Sequence, residues 1–148
     1  MTESSPIVRS VEVETAAERL FPLLVEPESL VRWWPDLAEL EPRLGGSVRM
    51  EFRGGQSVVK GEVTRFEPPH ALGLTWVREE LPEVTTQIEL TVVPLGERRC
   101  RVEVVHSGWE QAPELRAMHD LGWAHFLGCL AALAEGREFD KEFRPPTS

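Results

Sequence analysis

The chain contains no tyrosine, only three methionines and only two cysteines in 148 residues. Cys100 and Cys129 sit 29 positions apart with no CxxC pairing, which excludes a disulfide framework and a zinc-finger pattern. Both are expected as buried free thiols. Cations are also scarce: 16 Lys and Arg face 25 Asp and Glu, a formal net charge of −9, and the basic residues form no stripe. Nucleic acid and an anionic membrane are therefore not expected partners. No uncharged apolar run approaches the roughly 20 residues of a membrane-spanning helix. The opening MTESSPIVRS lacks the basic and apolar regions of a signal peptide, so a cytoplasmic location is expected.

What the chain does have is five tryptophans and a sharp change of hydrophobic period. Ile7, Arg9, Val11 and Val13 alternate with Val8, Ser10 and Glu12, the signature of a strand. Thr15 stands where it would cap a short helix carrying Leu20, Phe21 and Leu24 inward, and Pro27 opens a second one that Pro35 ends. From Gly45 the period becomes two. Val48, Met50 and Phe52 share a face; after Gly54-Gly55 a second strand runs from Val58 to Phe66. Further strands follow: Leu72, Leu74 and Trp76 alternate inward on one, Thr86, Ile88, Leu90 and Val92 on the next, Cys100, Val102, Val104 and His106 on the last. Such alternation predicts an antiparallel sheet with one solvated face.

After Pro113 the pattern turns helical, with Leu115, Met118, Gly122, Phe126, Cys129, Leu130 and Leu133 on a broad stripe and no formal charge between Leu121 and Ala134. Such a helix must be gripped by the rest of the fold. The expected architecture is α+β, strand, two short helices, five more strands and a long C-terminal helix. It forms one domain over residues 7–136, with unstructured ends at 1–6 and in the charged segment 137–148. A twisted sheet around a convex helix leaves a cavity between them.

Six stretches in register carry a resemblance: Trp33-Trp34; Gly45-Gly46; Gly61-Glu62-Val63 with Glu67-Pro68-Pro69; Leu74-Thr75-Trp76; His106-Ser107-Gly108-Trp109; and Gly122-Trp123. From about Val8 to Glu135 the chain resembles the activator of heat-shock protein 90 ATPase homologue family, within the SRPBCC or START-like (Bet v 1-like) superfamily. The resemblance implies the helix-grip fold: a curved six-stranded antiparallel sheet, two short helices and a long C-terminal helix. The superfamily spans lipid and polyketide binders, aromatase/cyclases and antibiotic-sequestering proteins, so the site must decide the function.

His106 falls on the inward face. It reads as a structural histidine bonded to backbone where the last strand meets the Ser107-Gly108 turn, as a ligand contact, or as an acid/base group. His119 and His125, six residues apart, lie on nearly opposite sides of the helix and cannot form an i, i+4 metal pair, so no metal or cofactor is expected. Arg9 and Arg65 are inward by parity and are expected to snorkel at sheet ends. Trp33 and Trp34, adjacent in sequence, are expected to point apart, with Trp34 held extended by Pro35 at the cavity mouth.

The expected function is the non-catalytic binding of a hydrophobic or aromatic small molecule. The expected lining is Trp34, Phe52, Trp76, His106, Trp109, Met118, Gly122 and Trp123. A chaperone-linked interaction module and a cyclase- or hydrolase-like enzyme stay open as alternatives, as does homodimerisation through the uncharged helix.

Overall fold

A computed structural model describes residues 4–144 of the chain. Strand β1 (Ile7–Val13) leads into three one- or two-turn helices, α1 (Ala17–Leu20), α2 (Pro22–Val25) and α3 (Pro27–Trp33). Six strands follow: β2 (Leu37–Leu40), β3 (Ser47–Phe52), β4 (Ser57–Glu67), β5 (Ala71–Arg78), β6 (Thr86–Gly96) and β7 (Arg99–Ser107). Two short 3-10 turns then deliver the chain to α4 (Arg116–Glu135). All pairings are antiparallel in one open sheet ordered β1-β7-β6-β5-β4-β3-β2.

The α+β helix-grip architecture is as expected, with two corrections. The sheet has seven strands, not six, because Leu37–Leu40 pairs with β3 as an edge strand. Four residues reading Leu-Ala-Glu-Leu carry no period-two signal, so only the pairing partner defines them. The helices before it number three, not two. Pro22 and Pro27 each lack an N–H, so each closes the turn before it and starts the next at its own first position. Ala16, not Thr15, occupies the first cap, and no side chain bonds there; the Ala16 carbonyl accepts from the Arg19 and Leu20 amides. Residues 137–144 have no regular secondary structure, and residues 1–3 and 145–148 of the expected loose ends lie outside the described residues.

The inward faces of β3 to β7 are the ones that alternation picks out. Met50 stands across from Val59, Val63 from Leu74, Leu74 from Ile88, and Ile88 from His106. All six are buried. Each apolar side chain so buried stabilises the fold by roughly 1.5–3 kcal/mol. The β4–β5 ladder is irregular. A Cβ on Gly61 would lie 1.9 Å from the Thr75 carbonyl, so only glycine lets β4 cross β5 that closely, and the ladder shifts register just beyond, between Val63 and Arg65.

The helix α4 packs on β1 at one sheet edge, α3 packs on β2 at the other, and α3 meets α4. The large α4 side chains Trp123, Leu127 and Leu130 are buried, whereas Met118, expected inward, is 39% exposed at the rim. Arg9 reaches out from β1 to Asp120 of α4 through bonds of 2.8 and 3.2 Å, and Arg65 pairs with Glu67 on the outer face, so both cations stay at the surface.

Candidate functional site: a cavity between sheet and long helix

Between the sheet and α4 lies an open cavity of about 1170 Å³. Seven of the eight expected residues stand in its wall: Trp34, Phe52, Trp76, His106, Met118, Gly122 and Trp123. Trp109 does not. Gly108, at φ 98°, turns the chain back so that the Trp109 ring lies under His106, with its Nε1–H donating to the His106 carbonyl at 2.8 Å. A Cβ on Gly122 would meet only a Phe143 ring atom, at 3.8 Å, so the missing side chain there leaves room rather than admitting a tight backbone contact.

The tryptophan pair behaves differently from expectation. Trp33 and Trp34 stack on each other, centroids 5.4 Å apart, and do not diverge. The backbone departs from both expectations: Trp34 leaves the helix at φ −127°, which is not helical and turns its ring relative to Trp33, and at ψ −91°, which is not the extended exit expected before Pro35. Trp33 is sealed, its Nε1–H donating to the Leu23 carbonyl at 2.8 Å. Trp34 continues the stack onto Trp76 at 5.3 Å and reaches Trp123 at 5.0 Å. Offset aromatic contacts of this kind add roughly 0.5–1.5 kcal/mol each beyond area burial.

His106 is fully buried, and its partners are side chains, not the backbone expected. The indole Nε1 of Trp123 can only donate, so at 3.0 Å the His106 Nδ1 must accept. The proton of the neutral ring is thereby on Nε2, which donates to Thr86 Oγ1 at 2.8 Å. Thr86 in turn donates to the Trp76 carbonyl at 3.2 Å. Burial, and secondarily neighbouring His119, pushes the His106 pKa well below that of a free imidazole. A ring that is neutral, bonded at both nitrogens and desolvated holds the wall together, and neither nitrogen is free to take a proton from a ligand.

Residues 14–135, most of the chain, match the family described as Activator of Hsp90 ATPase homolog 1-like protein. The chain belongs to that family. Solved structures share the fold at low identity. DynU16, from the dynemicin biosynthetic locus, is 21% identical with a TM-score of 0.79, over 91% of this chain and 49% of DynU16. This chain thus spans about half the length of DynU16. The Aha1 dimer from Colwellia psychrerythraea is 22% identical, TM-score 0.75, over 88% and 96% of the two chains. PFC0360w, an HSP90 activator from Plasmodium falciparum, is 19% identical, TM-score 0.71, over 90% and 97%. At such identities the likeness speaks for the fold alone. No curated protein is similar enough in sequence to count as a relative.

In this member of the Hsp90-activator-like family the cavity has contributors that sequence periodicity missed. Residues 137–144 fold back over α4. Phe143 lies against Phe126 and His125, centroids 5.9 and 5.6 Å away, and the Lys141 carbonyl meets His125 Nε2 at 2.9 Å. The Lys141 ammonium donates to the carbonyls of Val31 and Pro35, both at 2.9 Å, and pairs with Asp36 at 3.2 Å. Asp36 also accepts from the Gly54 amide at 2.9 Å, so one carboxylate ties the β3–β4 turn to the returning segment. The Gly54 amide foremost, with Lys141, holds the Asp36 carboxyl below its ordinary range against desolvation.

His119 enters the site as well. Its Nδ1 donates to the Leu115 carbonyl at 2.9 Å, its ring lies 5.5 Å from His106, and burial lowers its pKa. His125, by contrast, belongs to the Phe143 contact on the other side of α4, so the two helix histidines stay apart as their spacing requires. Both cysteines are buried and free. Among the described residues no helix is long and apolar enough to cross a membrane.

Proposed function

We propose that the protein binds a hydrophobic or aromatic small molecule between the sheet and α4 and does no chemistry on it. The observation that carries this reading is the cavity itself: about 1170 Å³ of open space walled by Trp34, Phe52, Trp76, Phe126 and the side-chain-less Gly122. That volume lies somewhat above the roughly 300–1,000 Å³ usual for small-molecule sites, with room for a ligand of that size. The locked His106 argues against a cyclase- or hydrolase-like reaction at this wall, since the buried imidazole is committed at both nitrogens.

The test is a metabolite library screened by thermal shift, followed by Gly122→Leu. The substitution puts a side chain into the cavity wall and replaces the weakest ordinary helix former, so the variant should melt no lower than the parent. A compound that raises Tm of the parent and leaves the variant unshifted supports the reading. If no compound raises Tm, or the shift survives Gly122→Leu, the cavity is not the site.

Family membership favours a second reading, docking onto a heat-shock protein 90 homologue, and one family-like structure is a dimer. A pull-down with the purified homologue that recovers nothing above background sinks the first of these. Light scattering at about 14–20 kDa, a single chain's mass, sinks the second.

A further inference from the structure

The polar rim points to the chemistry of the ligand. In a chain of net charge −9, the cavity wall carries four cationic side chains against three acidic ones. Three of the four cations are already engaged: Arg78 by Glu80, Lys141 by Asp36 and two carbonyls, Arg144 by Glu142. Arg53 is different. Among the described residues its guanidinium has no ion pair and no hydrogen bond, although it stands at the mouth of a cavity in an acidic protein.

Its backbone is also out of the ordinary. Arg53 sits at φ 53°, the only non-glycine residue with positive φ among the described residues, followed by Gly54 at 66° and Gly55 at 95°. A glycine would take that conformation freely, whereas an L side chain there is strained. The Asp36 carboxylate holds the turn by accepting the Gly54 amide, and Asp36 is itself tied to Lys141, so the strained residue is positioned from two sides. Strain on a residue with an uncommitted charge, at the edge of an otherwise aromatic cavity, is the arrangement expected of a binding group.

We infer that the ligand is an amphipathic anion, with its apolar or aromatic body in the cavity and its acidic group, a carboxylate or sulfonate-like oxyanion, on the Arg53 guanidinium at the mouth. This rests on the binding reading above and adds the sign and place of the polar head. A planar guanidinium with parallel N–H donors suits two oxyanion oxygens at once.

The test uses two fluorogenic probes with the same ring skeleton: 1-anilinonaphthalene-8-sulfonate, which is anionic, and N-phenyl-1-naphthylamine, which lacks the sulfonate. Each is titrated against the parent, Arg53→Gly and Arg53→Lys. The glycine suits the positive φ, so loss of folding does not confuse the result. Arg53→Gly should weaken the sulfonate probe roughly tenfold, the scale of one charge-assisted contact, and leave the neutral probe within about twofold. Arg53→Lys should recover part of the loss, and added salt should weaken only the sulfonate probe. Two probes that both bind and both ignore Arg53→Gly would overturn this inference and leave the cavity reading standing. Equal weakening of both would mean that Arg53 shapes the mouth without reading charge, which also overturns it. If neither probe binds the parent, the cavity reading fails and this inference with it.

Discussion

The two ends of the cavity are built on opposite terms. At the inner end, Trp123, His106, Thr86 and the Trp76 carbonyl form a chain in which each donor meets an acceptor, while Trp109 bonds the backbone below. At the mouth, Arg53 is exposed and uncommitted, and a segment without regular structure is held by the Lys141 ammonium together with the Phe143 ring and the Lys141 carbonyl. A satisfied buried network rigidifies and specifies the core, and beside it, among the described residues, only the Trp76 Nε1–H, buried in the cavity wall without a partner, is left to offer a ligand. Chemistry for recognition survives only where satisfaction is incomplete. His106, the sharpest polar candidate by sequence, therefore belongs to the scaffold, and Arg53, which no pattern marks, belongs to the site.

Substitutions should separate the two ends by size and sign. The largest effect is expected for His106→Ala, which strands the Trp123 N–H, removes the donor to Thr86 Oγ1 and leaves a void. A loss of about 3 kcal/mol in urea unfolding is expected, and a loss below about 1 kcal/mol would show that the network is not what holds this end. Trp123→Phe keeps most of the ring and removes one donor, leaving Nδ1 of His106 unpaired. It should cost about 1–2 kcal/mol by the same measurement.

The inner end also sets a pH dependence. His106 and His119 both titrate below a free imidazole's 6.5 when folded, so below that pH the unfolded chain takes up protons that the folded chain refuses. Their contribution is therefore complete above about pH 6.5 and is lost as the pH falls from there toward the folded values. Carboxylates held low by their partners, Asp36 and Asp120, add a loss of the same sign only at more acidic pH. Unfolding curves at about pH 7.5, 6.5 and 5.5 should show stability flat at first and then falling; a rise toward pH 5.5 would contradict the neutral assignment of His106.

At the mouth the effects shrink. Lys141→Met should cost about 1 kcal/mol, since the ammonium is partly exposed and its pair with Asp36 is screened. Faster amide exchange confined to residues 137–144 would mark the released segment; unchanged exchange would mean that Phe143 alone holds it. Arg53→Gly reverses the sign. Relief of the positive φ should leave stability unchanged or raise it by up to about 1 kcal/mol, and a clear loss would contradict a strained arginine.

Much of the fold was legible because strands β3 to β7 bury one face. Period two then names the inward residues from Val48 and Met50 through Trp76 to His106, and the burial follows it. Where burial does not alternate, the reading failed. The edge strand Leu37–Leu40 has no pattern of its own, and Pro22 cuts the first expected helix into two turns. Ideal dihedrals predicted that Trp33 and Trp34 would part, but Trp34 leaves the helix at a non-helical φ of −127° and the two rings stack. The returning segment was invisible for another reason: Lys141 bonds Val31 across 110 positions, and no local pattern encodes a contact of that range. Seven of eight expected lining residues nonetheless share one wall. Trp109 is the exception, because the inward parity of its strand ends at the Gly108 turn.

The central claim, a closed inner end and a receptive mouth on one cavity, is most directly tested by the indole N–H signals of the five tryptophans in a 1H–15N spectrum during titration with N-phenyl-1-naphthylamine. The account predicts that Trp34 and Trp76, stacked in the open wall, shift with the probe, while Trp33 and Trp109, each bonded to a backbone carbonyl outside the cavity, hold still. Trp33 and Trp109 moving as far as Trp76, or no indole moving at probe concentrations that saturate the fluorescence, would contradict it.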